Sequence, residues 1–442
     1  MKIKIDSKTK RIIARDQKVM LTTTREHYPF VADHGDGDYI YDVSGNKFID
    51  FSSFISVYNL GVNANKEIRE AIKKQADKLI HPAFTDFYSE KPVSFAEKLV
   101  KMFPKGFGRV FFSNSGTEAN EDAIKLSRIF TKRQYIISFY NSFHGRTLGS
   151  LGLTSSRTIQ KKHMGPFPNI VHSLYPYPYR CPFKSSTPEE CSSAAIDYLE
   201  SYLLGKEVPP EEVAAIFFEP IQGEGGYIVP PKDFFKELKK VADKHGILLV
   251  ADEIQTGYMR TGKFLALDHF RVSADIYTMA KSLGGGVPIG ATISKLSLGN
   301  VEKGEHANTF GGNLLAIAAA DASIDYISKN KRSLELNVER KGKHMISRLL
   351  EMQDRYEIIG DVRGIGLMIA IELVKSKKGK EPAGEERSRI LEDAFYSGLV
   401  LLPAGLSSIR IIPPLTVSDG ALNEGLNILE NSIKKESMRK LR

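Results

Sequence analysis

An α/β fold around a mostly parallel sheet is expected from three features of this 442-residue chain. From about residue 70 to 325, strand-length apolar runs alternate with segments of helical spacing, the pattern of a parallel sheet covered by helices. Two of those runs end abruptly in an ionisable residue: Leu248-Leu249-Val250-Ala251 in Asp252, and Thr278-Met279-Ala280 in Lys281. Each is followed by turn-forming or glycine-rich sequence, which puts a carboxylate and an amine at the carboxyl edge of the sheet, where ligands of such folds bind.

The elements follow in order. Residues 1 to about 70 hold short strands separated by turns such as Gly35-Asp36-Gly37-Asp38 and Ser44-Gly45-Asn46,. Val110-Phe111-Phe112 then runs into Ser113-Asn114-Ser115-Gly116-Thr117, after which Ala123, Ile124, Leu126 and Ile129 recur at helical spacing,. A strand, a glycine turn and a helix start present free backbone N–H groups and the positive end of the helix dipole, which suits a phosphate. The plain alternative is an ordinary helix cap by Ser115 or Thr117.

Tyr135 to Tyr140 reads as the next strand and leads into Asn141-Ser142-Phe143-His144-Gly145-Arg146-Thr147. Phe143 suits either a flat ring stacked on it or the core. Arg146 offers a planar fork for a carboxylate. A helix from Asp233 to Val241 precedes the Asp252 strand. The alternative for Lys281, before Gly284-Gly285-Gly286, is a solvated charge at a loop mouth. From about 326 onward helices and short strands recur, with no internal repeat or low-complexity linker.

With 42% hydrophobic residues and 26% charged, the chain reads as a soluble globular protein with room for a large core and a second domain,. It has no run of about 18 apolar residues, and Met1-Lys2-Ile3-Lys4-Ile5-Asp6 lacks the apolar stretch of a signal peptide, so no membrane association and a cytoplasmic address are expected,. The net charge of +9 is dispersed apart from Lys375 to Lys380 and the tail Lys434 to Arg442, read as a solvated helix end, and no nucleic-acid partner is expected,. Cys181 and Cys191 are expected as free thiols of a reducing compartment, a loop-stapling disulfide being the alternative,. No metal site is expected.

An amine that bonds an aldehyde and a carboxylate that pairs with a pyridinium nitrogen are the two protein groups pyridoxal phosphate needs most. In order from about residue 35 to 416, the segments Gly37–Asn46, Ser115-Gly116-Thr117-Glu118, Phe143-His144-Gly145-Arg146-Thr147, Glu219-Pro220-Ile221-Gln222-Gly223-Glu224-Gly225-Gly226, Ala251–Gly257, Lys281, Thr309–Asn313 and Arg410–Leu415 resemble the class III aminotransferases. These are fold-type-I pyridoxal-phosphate enzymes, a group that includes 4-aminobutyrate and ornithine aminotransferases and some archaeal amino-acid racemases. The resemblance implies a large cofactor-binding domain, residues 71–325, and a small α+β domain built from residues 1–70 and 326–442.

It also implies roles. Lys281 is then the lysine that bonds the cofactor aldehyde and later moves the proton, and Asp252 the partner of the ring nitrogen. Gln255 meets the ring hydroxyl, Phe143 stacks on the ring beside His144, and Glu219 belongs to the polar support beneath it. Ser115, Gly116 and Thr117 form the phosphate cup, which Thr309 completes from the neighbouring subunit of a homodimer. Arg410 takes the α-carboxylate of an amino acid, and Glu224 pairs with it when an ω-amino substrate is bound; the alternative is a permanent structural salt bridge. Arg146 reads a distal carboxylate.

The activity so implied is transfer of an amino group from an ω-amino acid such as 4-aminobutyrate or ornithine, or a related amine, to 2-oxoglutarate. The alternative is a racemase or epimerase, which needs a proton donor on each face of the ring. Racemising members of the family are expected to carry the shorter Asp in place of Glu224, which favours transamination. One motif departs: the family's Gly-His-x-x-Pro reads Gly61-Val62-Asn63-Ala64-Asn65 here. Because residues near Ile55 line the substrate pocket in relatives, the departure bears on substrate identity.

Overall fold

The computed structural model describes residues 3–23, 28–63 and 65–439. Met1 and Lys2 of the opening segment, Ala64 of the departing motif and residues 440–442 of the basic tail lie outside the described residues. The chain forms two compact units, one of Met1–Lys66 with Leu336–Arg442 and one of Glu67–Glu335.

In the first unit, the strands β1 (Ala32–Asp36), β2 (Tyr39–Asp42) and β3 (Lys47–Asp50) pair antiparallel in sequence order. The last residue of β3 sets up an unusual turn. Asp50 Oδ1 accepts from the Ser52 amide at 2.8 Å, the Ser52 hydroxyl at 2.6 Å and the Ser53 amide at 2.9 Å. Ser53, Phe54, Ile55 and Ser56 then all take positive φ, from 42° to 64°, a left-handed turn without a glycine. Each such residue costs about 1–2 kcal/mol. The Ser53 hydroxyl bonded to Ile412 O at 2.6 Å and the Ser56 hydroxyl bonded to Asn59 Oδ1 at 2.8 Å help hold it.

The second unit is built on a seven-stranded sheet of β4 (Phe107–Ser113), β5 (Tyr135–Phe139), β6 (Ile170–Ser173), β7 (Val213–Phe218), β8 (Leu248–Asp252), β9 (Ile276–Met279) and β10 (Gly290–Lys295). Their order is β4-β10-β9-β8-β7-β5-β6. Only β10 runs against the rest: it is antiparallel to both its neighbours, while β6, β5, β7, β8 and β9 pair in parallel. Every residue of β7 and β9 is buried, as expected of central strands covered on both faces,.

The helix Gly116–Thr131 packs buried Ala119, Ala123, Ile124 and Leu126 inward. It starts where the Ser115 hydroxyl accepts from the Glu118 amide at 3.2 Å, and stops at Lys132, in the left-handed conformation. The expected helix before β8 spans Phe234–His245 and ends at left-handed Gly246,.

The expectation of two free thiols is corrected, because Cys181 and Cys191 are bonded to each other. A capping box of Thr187 and Glu190 starts the helix Pro188–Asp197. Cys191, in the helix, then has its Cα 6.0 Å from that of Cys181 in the preceding loop, within the reach of a bridge,.

The first unit resumes at Leu336, within the long helix Leu314–Arg355, and continues with β11 (Ile359–Ile365), β12 (Met368–Leu373), β13 (Leu399–Val400), β14 (Leu402–Ala404) and β15 (Ser408–Ile411). The strand β13 joins β3 in parallel, and β11-β12-β15-β14 form an antiparallel sheet. The closing helix Asp419–Arg439 buries Leu426, Leu429 and Ile433. Its end is largely exposed as expected, except that Glu436 is buried and paired with Arg389 at 2.7 Å. Among the described residues no helix is long and apolar enough to cross a membrane, and no group of three or more His, Cys, Asp or Glu is placed to hold a metal.

Candidate active site

Two adjacent parallel strands position the two ionisable residues the sequence singled out. Asp252 ends β8 opposite Thr278 of β9, and Lys281 lies three residues beyond Thr278, so both stand at the same edge of the sheet. Lys281 is half-buried and takes φ of +45°, a conformation rarely held by a residue with a side chain. Strain of this kind costs about 1–3 kcal/mol and gathers at functional sites.

Asp252 is buried and held from several directions. Its Oδ2 faces His144 Nδ1 at 2.7 Å and accepts from Asn120 Nδ2 at 2.8 Å, while Oδ1 accepts from the Ile254 amide at 3.0 Å. Asn120 also donates to His144 O at 2.7 Å and accepts from the Thr278 hydroxyl at 2.8 Å. The His144 amide is bound by Thr154 Oγ1 at 2.9 Å.

Glu219, beyond the end of β7, is buried as well. One of its oxygens accepts from the Phe143 amide at 2.9 Å and the other from the Gly223 amide at 2.8 Å, so a single carboxylate ties the Phe143 loop to the Gly223 loop. Burial pushes its carboxyl up to about 7, with His144 opposing the rise and Asp252 adding to it. Gly223 sits close to both side chains: a Cβ there would meet Gln255 Oε1 at 2.6 Å and Glu219 Oε2 at 3.2 Å, so a larger residue would displace the Gln255 amide.

At the start of the helix Gly116–Thr131, the Ser115 hydroxyl is the cap that its plain reading proposes. Thr117 Oγ1 lies 2.5 Å from Ser150 Oγ and 2.9 Å from Thr147 Oγ1, and accepts from the Arg146 amide at 3.1 Å. The helix start and the Phe143–Thr147 loop are thereby joined. Gly145, at φ +144°, leaves no room for a side chain, because a Cβ would fall 2.2 Å from Thr117 Oγ1. Phe143 is half-buried with the Arg146 guanidinium 5.5 Å from its ring centroid, and Arg146 itself is exposed.

Glu224 forms an ion pair with Arg157 at 3.3 Å. Thr309 is exposed on a loop anchored by its neighbours: Asn308 Nδ2 donates to Phe112 O at 2.8 Å, and His306 lies 3.1 Å from Asp122. Arg410 and Ile55 belong to the first unit. Arg410 is buried in β15 between Ala370 and Leu402, and Ile55 is exposed on the left-handed turn.

The donor set fits a pyridoxal phosphate. Gln255 Oε1 and His144 Nε2 are buried without a partner among the described residues, and a carboxylate braced by His144 and Asn120 stands at the sheet edge with Lys281. When bound, this cofactor supplies an aldehyde for amine exchange and a ring that withdraws electrons. The residues that sequence reasoning missed are Asn120, Thr154, Arg157 and, as a contact, Thr278. Asn120 carried a signal: a polar residue one turn after Thr117, on the buried apolar face that holds Ala119 and Ala123.

The model of the family "Aminotransferase class-III" matches residues 21–433. The chain is 38% identical over 424 residues to a "Leucine/methionine racemase" of Thermococcus litoralis, covering 96% of this chain and 95% of that one. It is 39% identical over 408 residues to a "Probable 4-aminobutyrate aminotransferase" of Bacillus subtilis, covering 90% and 92%. Among solved structures, an amine transaminase from an uncultivated Pseudomonas species, in its PLP-bound form, superposes with a TM-score of 0.87 at 30% identity, covering 94% of this chain and 98% of that one. A carboxylate and a lysine at one edge of a parallel sheet, in a chain matched to that family over nearly its whole length, make this protein a member of the class III aminotransferases, enzymes that use pyridoxal 5′-phosphate.

Proposed function

We propose that the chain is an aminotransferase that moves an amino group from an ω-amino acid such as 4-aminobutyrate or ornithine, or a related amine, to 2-oxoglutarate. The observation that carries the reading is the Asp252 cluster: a buried carboxylate on β8, braced by His144 and Asn120, beside the strand that delivers Lys281. In this reading Lys281 bonds the cofactor aldehyde and moves the proton, and Asp252 pairs with the ring nitrogen. Gln255 meets the ring hydroxyl, Phe143 and His144 flank the ring, and Glu219 holds the loops around it. Ser115, Gly116 and Thr117 receive the phosphate, and Thr309 reaches the phosphate of a second copy in a homodimer; its exposure on an anchored loop supports that placement.

In the same reading Arg146 takes a distal substrate carboxylate and Arg410 an α-carboxylate, Glu224 pairs with Arg410 when an ω-amino substrate is bound, and Ile55 lines the pocket. The Bacillus relative is named for an ω-amino donor, which supports that donor class. The Thermococcus relative is named a racemase and supports the second reading, a racemase or epimerase. Racemisation asks for a second proton donor, for which Glu224 is the candidate, and Glu224 is engaged with Arg157,. That engagement favours transamination.

Single-turnover kinetics followed by cofactor absorbance separate the two half-reactions. Arg146→Ala is expected to damage the half-reaction with the ω-amino donor by roughly tenfold or more, the worth of one charged hydrogen bond, and Arg410→Ala the half-reaction with 2-oxoglutarate. If the wild type interconverts L- and D-amino acids on chiral chromatography without consuming a keto acid, and transfers no amino group to one, the racemase reading replaces this one.

A further inference from the structure

We propose that Asn120 is a positioning residue for Asp252, locking the carboxylate that faces the cofactor ring and tying it to the strand that carries Lys281. Asn120 is fully buried, and three hydrogen bonds determine its side chain. Its amide nitrogen faces two acceptors, Asp252 Oδ2 at 2.8 Å and His144 O at 2.7 Å, while its amide oxygen faces the Thr278 hydroxyl at 2.8 Å. Neither acceptor tolerates the amide oxygen in place of the nitrogen, and the hydroxyl has a proton to give only to the oxygen, so one orientation satisfies all three.

The consequence is mechanical as well as electrostatic. The same nitrogen grips the side chain of Asp252 and the backbone of His144, and the His144 ring meets the same oxygen, Asp252 Oδ2, at 2.7 Å. Both strong bonds to Oδ2 therefore come from one side-chain clamp and one ring. Oδ1, which accepts from the Ile254 amide, keeps a lone pair for a further donor,. Thr278 belongs to β9, whose chain continues to Lys281, so Asn120 joins the helix Gly116–Thr131, the His144 loop, β8 and β9 through a single amide. A positioned carboxylate acts on charge in the ring only if it does not have to reorganise.

The test uses the holoenzyme of Asn120→Ala, of Asn120→Asp, which preserves shape but turns the donor into an acceptor against Asp252, and of Thr278→Val. For Asn120→Ala, kcat is expected to fall by roughly tenfold or more and the cofactor dissociation constant to rise by about tenfold, from loss of one hydrogen bond to a charged group. The donor KM should stay within about threefold, and the pH midpoint of the cofactor's long-wavelength band should move from its wild-type position. Asn120→Asp should be worse than Asn120→Ala in every readout, through like-charge repulsion. Thr278→Val should move them in the same direction by less, and should add nothing to Asn120→Ala in the double variant, since both act through one side chain. Thermal unfolding of the cofactor-free variants reads packing separately. Wild-type kcat, cofactor affinity and absorbance in Asn120→Asp would overturn the proposal, and so would an Asn120→Ala variant that loses only cofactor-free stability.

Discussion

Arg157 Nη2 lies 3.3 Å from Glu224 Oε1, an ion pair between the loop after Leu153 and the turn after Gly223. From the sequence, Glu224 is expected to pair with Arg410; Arg157, of the same unit as Glu224, is a cation that the sequence did not reveal. The pair is partly exposed, so its worth is about 1 kcal/mol or less. Arg157→Ala is expected to raise KM for 2-oxoglutarate by about threefold to fivefold through lost positive charge, with a smaller change for an uncharged amine donor. Measuring each half-reaction checks this, and equal changes in both would assign Arg157 a purely structural part.

Lys281 should be the attachment point of the cofactor. Borohydride reduction of the holoenzyme followed by peptide mapping is expected to find the cofactor fixed on Lys281, and Lys281→Ala should lose activity while keeping the fold. Recovery of the reduced adduct on another lysine would contradict the assignment. Because Lys281 holds φ of +45°, Lys281→Gly should be at least as stable as Lys281→Ala, which thermal unfolding can read,.

Asp252→Ala should cost at least about a hundredfold in kcat, a typical effect of removing one preorganised electrostatic group. The cofactor is still expected to bind through the Gly116 and Thr117 segment. Near-normal turnover would mean that another group partners the ring nitrogen.

Glu219 gives a pH prediction with a definite sign. An ordinary glutamate releases its proton near 4.5, whereas burial holds the proton of Glu219 up to about 7. Between those values the folded state keeps a proton that the unfolded chain has lost, so the contribution is full below about 4.5 and is lost as pH rises through about 7. Glu253, buried and also pushed up to about 7, adds a slope of the same sign. Glu219→Gln is expected to flatten the fall of melting temperature between about pH 5 and pH 8, and to cost about 1 kcal/mol by losing the Phe143 or the Gly223 bond. An unchanged slope in the variant would show that Glu219 does not titrate there.

What the sequence made legible was local. The strand Leu248–Asp252 announced itself because an apolar run stopped at a charge, and the turn before Gly116 because strand and helix periodicities met there,. The alternation of such units pointed to the parallel sheet. What stayed hidden were meetings of residues remote in sequence: Asn120 with Asp252, Arg157 with Glu224, Cys181 with Cys191 across a loop. Periodicity carries no information about those encounters. The turn at Ser53 was hidden for a different reason, since nothing in Ser-Phe-Ile-Ser suggests positive φ; hydrogen bonds donated by Ser53 and Ser56 to Asp50, Ile412 and Asn59 help hold it.

That turn also bears on how readily this protein tolerates change. At Ser53 to Ser56 the backbone rejects most side chains before any substrate is met, so a library randomised there would be sorted first by foldability and only afterwards by preference among amines. Glycine at Ile55 is expected to relieve the backbone strain, so any change in substrate preference at this position has to be read together with a change in stability,. Arg157, at an extended φ of −151°, imposes no such backbone filter, so substitutions there report on its charge beside Glu224 alone.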